Sequence, residues 1–377
     1  MSDITIVLKL LIAVLVFGSI VFVHEFGHFI MARLMGVRVN EFALGMGPRL
    51  LKFKGKETEY SLRLFPIGGF CSMAGEDAAG SGSVTDGEPD VDPDDPRAFF
   101  NKKVWRRILI VVAGAAMNLL LGFVVLVVYF GVFTQPVADG EPAMYASKTI
   151  AQLGEDAPAY KTGLRVGDDI LSIDGKRVYT NFDLANILQS DEDGVFDFTV
   201  RRDGEKVTLD GVTFDIEVDK ESGIRYLKYD FKVQGIEKTA WTTVKQAAQM
   251  ETSVGVMIWR SLGDILTGKY GLNELSGPIG TVEAIGDAAV DDSGERIAID
   301  WASLLMMTVI ITVNVGIFNL LPFPALDGGR LVFLVFEGIF RKKVPPKFEG
   351  MVHIIGFVLL LLLMVVVAFS DIWKLFS

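Results

Sequence analysis

His24, Glu25 and His28 stand in the order His-Glu-Phe-Gly-His within an otherwise apolar run, residues 6–32. An ionisable group at the centre of a spanning helix costs on the order of 2.5 to 3.5 kcal/mol to insert, so such residues persist where they pair, bind or catalyse. On a helix, residues four apart share a face, which sets the two imidazoles one turn apart and able to hold one zinc ion. Glu25 projects beside them, placed to take a proton from water. The pattern is that of a zinc-dependent peptide hydrolase at membrane depth. The competing reading is a helix whose histidines only hydrogen-bond inside a bundle. Two of the three histidines in the chain are here.

Two imidazoles leave zinc short of the three protein ligands that a catalytic site uses alongside its open position. A second constellation offers the third. Asn314 and Asn319 lie in an apolar run, residues 302–321, and Pro322-Phe323-Pro324-Ala325-Leu326-Asp327-Gly328-Gly329 then breaks the helix. Asp327 is the best-placed third ligand; taken alone it could equally cap the next helix. Gly114-Ala115-Ala116-Met117-Asn118 marks a third polar point inside an apolar run. Its small residues allow close helix approach, and Asn118 can hydrogen-bond to a neighbouring helix or to a substrate backbone, or simply pack.

These residues need a scaffold that crosses a membrane. Half of the 377 residues are apolar and 22% are charged, which fits a membrane protein with soluble parts. A net charge of -11 argues against nucleic acid as a partner. The single cysteine, Cys71, excludes an intramolecular disulfide. Residues 6–35, 108–133, 302–321 and 352–369 are each near or above the roughly 20 residues a crossing needs. The first reads as a permanent span rather than a cleaved leader, because it is long and holds the proposed chemistry.

Lysine and arginine cluster between spans one and two, as at Arg33, Arg38, Lys52 and residues 102–107, and between three and four, as at Arg330, Arg341 and Lys343. By the positive-inside rule both connections are cytoplasmic, and both termini and the long middle region are extracytoplasmic. The expected division is 1–35, first span; 36–75, a membrane-associated β region; 76–101, an acidic flexible linker with no site; 102–134, second span. It continues with 146–235, a soluble α+β domain; 238–300, an amphipathic helix and a turn-rich return; 301–330, third span with its broken end; 351–370, fourth span. Alternation and turn glycines in residues 37–73 predict strands and hairpins, either a plain meander or an edge able to pair with an unwound substrate beside Glu25.

Residues 157–175, Ala-Pro-Ala-Tyr-Lys-Thr-Gly-Leu-Arg-Val-Gly-Asp-Asp-Ile-Leu-Ser-Ile-Asp-Gly, resemble the signature stretch of bacterial PDZ domains. That resemblance implies a groove that accepts a peptide C-terminus by strand addition, or a domain that acts only as a steric screen. With all motifs in place, the chain resembles the site-2 protease family of intramembrane zinc metalloproteases, and within it the bacterial branch that cleaves anti-sigma factors (the RseP and RasP type). The resemblance implies a polytopic α-helical membrane protein of the bacterial cytoplasmic membrane, with about four spans, a β region and one extracytoplasmic PDZ domain. It implies one catalytic zinc on His24, His28 and Asp327, with Glu25 as general base. Asn319 would contact the substrate or its oxyanion, and strands near Gly68, Gly69 and Phe70 would clamp substrate. The implied substrates are single-pass membrane proteins, such as anti-sigma factors already cut on the outer side, and remnant signal peptides. Family members with tandem PDZ domains differ, since one such unit is present here. An adaptor with a structural zinc would have no use for Glu25, and a transporter would carry inverted repeats, which the sequence lacks.

Overall fold

Backbone amides in hydrocarbon are satisfied only within helices or closed barrels, and the four long apolar runs are helical. The computed structural model describes residues 3–76, 92, 94–136, 138, 140–189, 193–218, 225–269, 277–291 and 298–376. In chain order they form α1 (Asp3–Leu34), β1 (Val39–Lys54), β2 (Glu59–Met73), α2 (Val104–Phe133), β3 (Met144–Leu153), α3 (Pro158–Lys161), β4 (Asp169–Ile173), β5 (Lys176–Arg177) and α4 (Asn181–Gln189). Then come β6 (Val195–Arg202), β7 (Glu205–Thr213), β8 (Ile216–Val218), β9 (Arg225–Leu227), β10 (Phe231–Glu237), α5 (Ala240–Leu266), α6 (Pro278–Ala289), β11 (Val290–Asp291), β12 (Ala298–Ile299), α7 (Trp301–Asn319), α8 (Asp327–Phe340) and α9 (Pro346–Phe376). Among the described residues, four helices are long and apolar enough to cross a membrane: those over residues 4–34, 104–133, 301–319 and 348–371.

The chain divides into two compact units, residues 1–125 with 259–377 and residues 126–258. In the first, β1 and β2 fold back on themselves in four arms. Residues 69–73 pair with 39–44, which also align with 59–62, and 59–63 pair with 49–54. The arm 69–73 therefore forms one edge of this sheet. Gly45 and Gly68 make the bends at φ 85° and 83°, values a side chain would oppose. Glu41 ties the arms together, accepting hydrogen bonds from Ser61, Arg63 and Arg49 at 2.6 to 2.8 Å. Burial alone would raise its carboxyl, but these donors hold it below the ordinary carboxylate range. Leu50, Leu51, Phe53, Leu64 and Phe65 stay exposed, an apolar surface suited to lipid.

Two expectations need correction in this unit. Within residues 238–300, the stretch read as a turn-rich return is helical over α6; residues 270–276 lie outside the described residues. Ile285 and Ala289 of α6 bury against Ala13, Ile20, Leu304 and Ile311. Pro278 is at the start of the helix, where its missing N–H costs nothing, and Asp371 of α9 accepts from the Gly277 and Gly280 amides. Secondly, Glu76, read as the first residue of a solvated linker, is buried and ion-paired with Arg330. Residues 77–91 and 93 of that linker lie outside the described residues.

In the second unit β10, β3, β4, β6 and β7 form the sheet in that order, with β5 on β4 and every pair antiparallel. Alternation in β6 turns Phe196, Phe198 and Val200 into a core shared with Ile150, Leu164, Ile170 and Leu188. Asp168 is fully buried and accepts from the Arg165 amide and from Arg202 Nε and Nη2. At the start of α4, Asp183 reaches back to the Tyr179 and Thr180 amides, a capping arrangement that also receives the Ser253 hydroxyl of α5.

Candidate metal centre

Helical spacing in α1 places His24 and His28 against each other, ring centroids 4.9 Å apart and planes at 82°. Close approach of α2 sets their other contacts. His28 Nδ1 lies 2.9 Å from the Ile110 carbonyl oxygen, which accepts only a proton. Nδ1 is therefore the protonated nitrogen, and Nε2 presents its lone pair inward in the neutral ring. His24 Nδ1 faces the side-chain amide of the fully buried Asn118 at 3.4 Å. Asn118 Oδ1 lacks a partner among the described residues, and with the amide turned over it accepts the His24 Nδ1–H. Both rings then aim Nε2 at one point.

Asp327 completes that point from the other side of the sequence. Its Oδ2 lies 3.2 Å from His24 Nε2 and 3.1 Å from His28 Nε2, and the two nitrogens are 3.3 Å apart. Ligand atoms at zinc bond lengths of 2.0 to 2.2 Å in a tetrahedron stand about 3.3 Å from one another, so the spacing fits the ion. Lone pairs of three acceptors converge there, and Asp327 Oδ2 is buried without a hydrogen-bond partner among the described residues, which a cation would satisfy.

The loop carrying Asp327 is fixed on several sides. Asp327 is the first residue of α8, after the N-cap Leu326, and its carboxylate turns to the histidines. The capping alternative is thus not taken up. A Cβ on Gly328 or Gly329 would strike the carbonyls of residues 320, 321 and 323. Ala325 sits at φ 80°, and its N–H donates to His353 Nδ1 at 3.0 Å. Gly356 lets α9 approach Pro324. His353, the third histidine, carries the one signal that marks it in the sequence, a lone imidazole inside an apolar span.

Glu25 lies beside the triad, with the Cys71 backbone near its carboxylate. The edge arm 69–73 therefore borders the chemistry: a Cβ at Gly69 would stand 3.3 Å from Glu25 Cγ. Phe70 is buried, and Gly68 and Gly69 are half-buried. Asn319 is the last residue of α7, half-buried, and opens the loop that ends at Asp327.

Gly114 is the cradle for the rings, since a Cβ there would overlap the His28 and His24 imidazoles. Gly114→Ala is expected to displace them and weaken zinc binding about 10- to 100-fold, the range for changes to groups that orient metal ligands. Competition with a chromogenic chelator measures it; wild-type affinity would mean the rings are free to move.

Residues 12–363 match the model of Peptidase family M50. A Clostridium acetobutylicum protein with a zinc-metalloprotease name is 34% identical, with 97% of each chain covered. Zinc metalloprotease RasP of Geobacillus kaustophilus is 32% identical over 96% of this chain and 97% of its own. Regulator of sigma-W protease RasP of Bacillus subtilis is 29% identical, with 96% and 98% covered. The chain belongs to Peptidase family M50, the site-2 proteases, and is a membrane zinc metalloprotease.

Proposed function

We propose that this metalloprotease cleaves single-pass membrane proteins within the bilayer after a first extracytoplasmic cut, anti-sigma factors among them, and also clears remnant signal peptides. The name of the Bacillus subtilis relative, regulator of sigma-W protease, supports that substrate class. The observation that carries the mechanism is the convergence of His24 Nε2, His28 Nε2 and Asp327 Oδ2 beside Glu25, with both histidines on a helix long and apolar enough to cross a membrane and Asp327 at the start of α8. His24, His28 and Asp327 hold the zinc. When bound there, zinc supplies a Lewis acid that acidifies water and polarises a carbonyl. Glu25 takes the proton from water as the water oxygen bonds to the scissile carbonyl carbon. When the C–N bond breaks, Glu25 returns that proton to the leaving nitrogen.

A helical peptide must unwind before it is cut, and a free sheet edge offers its backbone new partners. The arm 69–73, with Gly68, Gly69 and Phe70, takes the substrate as an added strand. Asn319 steadies the substrate or its developing oxyanion, whereas the position of Asn118 against His24 favours orienting that ligand over touching substrate. Lysine and arginine placement puts the two connections of residues 36–101 and 331–350 on the cytoplasmic side, with both termini and residues 146–235 outside. Residues 146–235 act as a PDZ domain, admitting a trimmed stub and excluding an intact ectodomain, or taking its C-terminus at the edge strand β10.

The test is cleavage of a shortened single-pass protein by purified full-length enzyme in detergent, with and without a zinc chelator. Product that disappears on chelation and returns with zinc is the expected result. A panel of such substrates left intact by zinc-loaded protein would turn the reading toward an adaptor that binds exported tails.

A further inference from the structure

Two buried charges in the first unit have no part in the steps above. The Glu76 side chain is 4% exposed and that of Arg330 11%, and Arg330 Nη1 donates to Glu76 Oε1. The other carboxylate oxygen, Oε2, accepts the Met73 backbone N–H at 3.2 Å. Glu76 is thereby fastened to the last residue of the arm 69–73, which borders Glu25. Arg330 is in the first turn of α8, three residues after Asp327, close to the same helix face. The ion pair joins the end of the edge arm to the helix that carries the third candidate ligand.

Moving two charges out of water is unfavourable unless they stay in contact, and separating them leaves each uncompensated. Such a pair fixes the distance between the elements that carry it. We propose that Glu76 and Arg330 are positioning residues that hold Asp327 in ligating register and set its distance from the strand that receives substrate. Metal affinity and substrate alignment are then coupled through one contact. The proposal rests on Asp327 as a zinc ligand, and neither residue of the pair is among the three converging donors.

The experiment uses full-length protein in detergent and reads zinc affinity by chelator competition, KM and kcat on a membrane peptide, and thermal melting. Glu76→Gln is expected to weaken zinc binding about 10- to 100-fold and to raise KM, as loss of an outer-sphere support does. Glu76→Asp keeps the charge but withdraws it by one methylene; it serves if the glutamine variant does not fold, and should lower zinc affinity with melting preserved. Combining Glu76→Gln with Asp327→Asn should add little to the loss from Asp327→Asn alone, because the two act through one ligand. Wild-type zinc affinity and KM in both Glu76 variants, with only melting lowered, would make the pair a plain structural brace and overturn the proposal. Additive losses would overturn it too. Failure of the ligand assignment is read separately: Asp327→Asn alone would then bind zinc like the wild type.

Discussion

Glu25→Gln is expected to lower the rate of peptide cleavage about 10²- to 10⁴-fold, the range for loss of a positioned general acid-base group, with zinc content unchanged. The substitution is nearly isosteric. Glutamine fills the same volume against Gly69, so the packing between α1 and the edge arm survives. Zinc binding should survive as well, because the converging atoms come from His24, His28 and Asp327. What is lost is the acceptor that takes a proton from water and hands it to the leaving nitrogen. Zinc by elemental analysis and cleavage of a membrane peptide, measured on the same preparation, test both halves. Activity within a factor of ten of wild type would remove Glu25 from the mechanism, and coincident loss of zinc would make it a structural support.

Much of this site is legible in the sequence because its chemistry violates the local background. His24, Glu25 and His28 stand out in an apolar helix, and Asp327 stands between two prolines and two glycines that must break one. Asp327 finds its partners only through tertiary packing, and in isolation a cap reads equally well. The β region shows its strands by alternation. Its order, with residues 69–73 at the edge beside Glu25, depends on pairings that alternation does not encode. Glu76 was illegible for a different reason. It opens an acidic, glycine-rich stretch whose composition signals solvation, while its partner Arg330 lies 254 residues away. Gly277-Pro278 can begin a turn or a helix, and the burial of Ile285 and Ala289 decides for the helix.

Asp327→Asn is expected to reduce zinc affinity by more than the 10- to 100-fold that outer-sphere changes cost, and to reduce cleavage with it. The asparagine keeps the size and shape of the side chain, and the loop that carries it is held by contacts that do not involve the carboxylate. Ala325 remains tied to His353, Gly356 still admits Pro324, and Gly328 and Gly329 still pack on the preceding carbonyls. The Glu76–Arg330 pair is likewise untouched. The fold of α8 should therefore persist, and the loss should fall on the metal alone. An amide oxygen is neutral and a poorer zinc ligand than a carboxylate, so two imidazoles are left to hold a dication. Excess zinc should restore part of the activity, which distinguishes weakened binding from a collapsed site. Stoichiometric zinc at wild-type affinity would mean that another group supplies the third ligand, and would send the search to the other side chains that border Glu25.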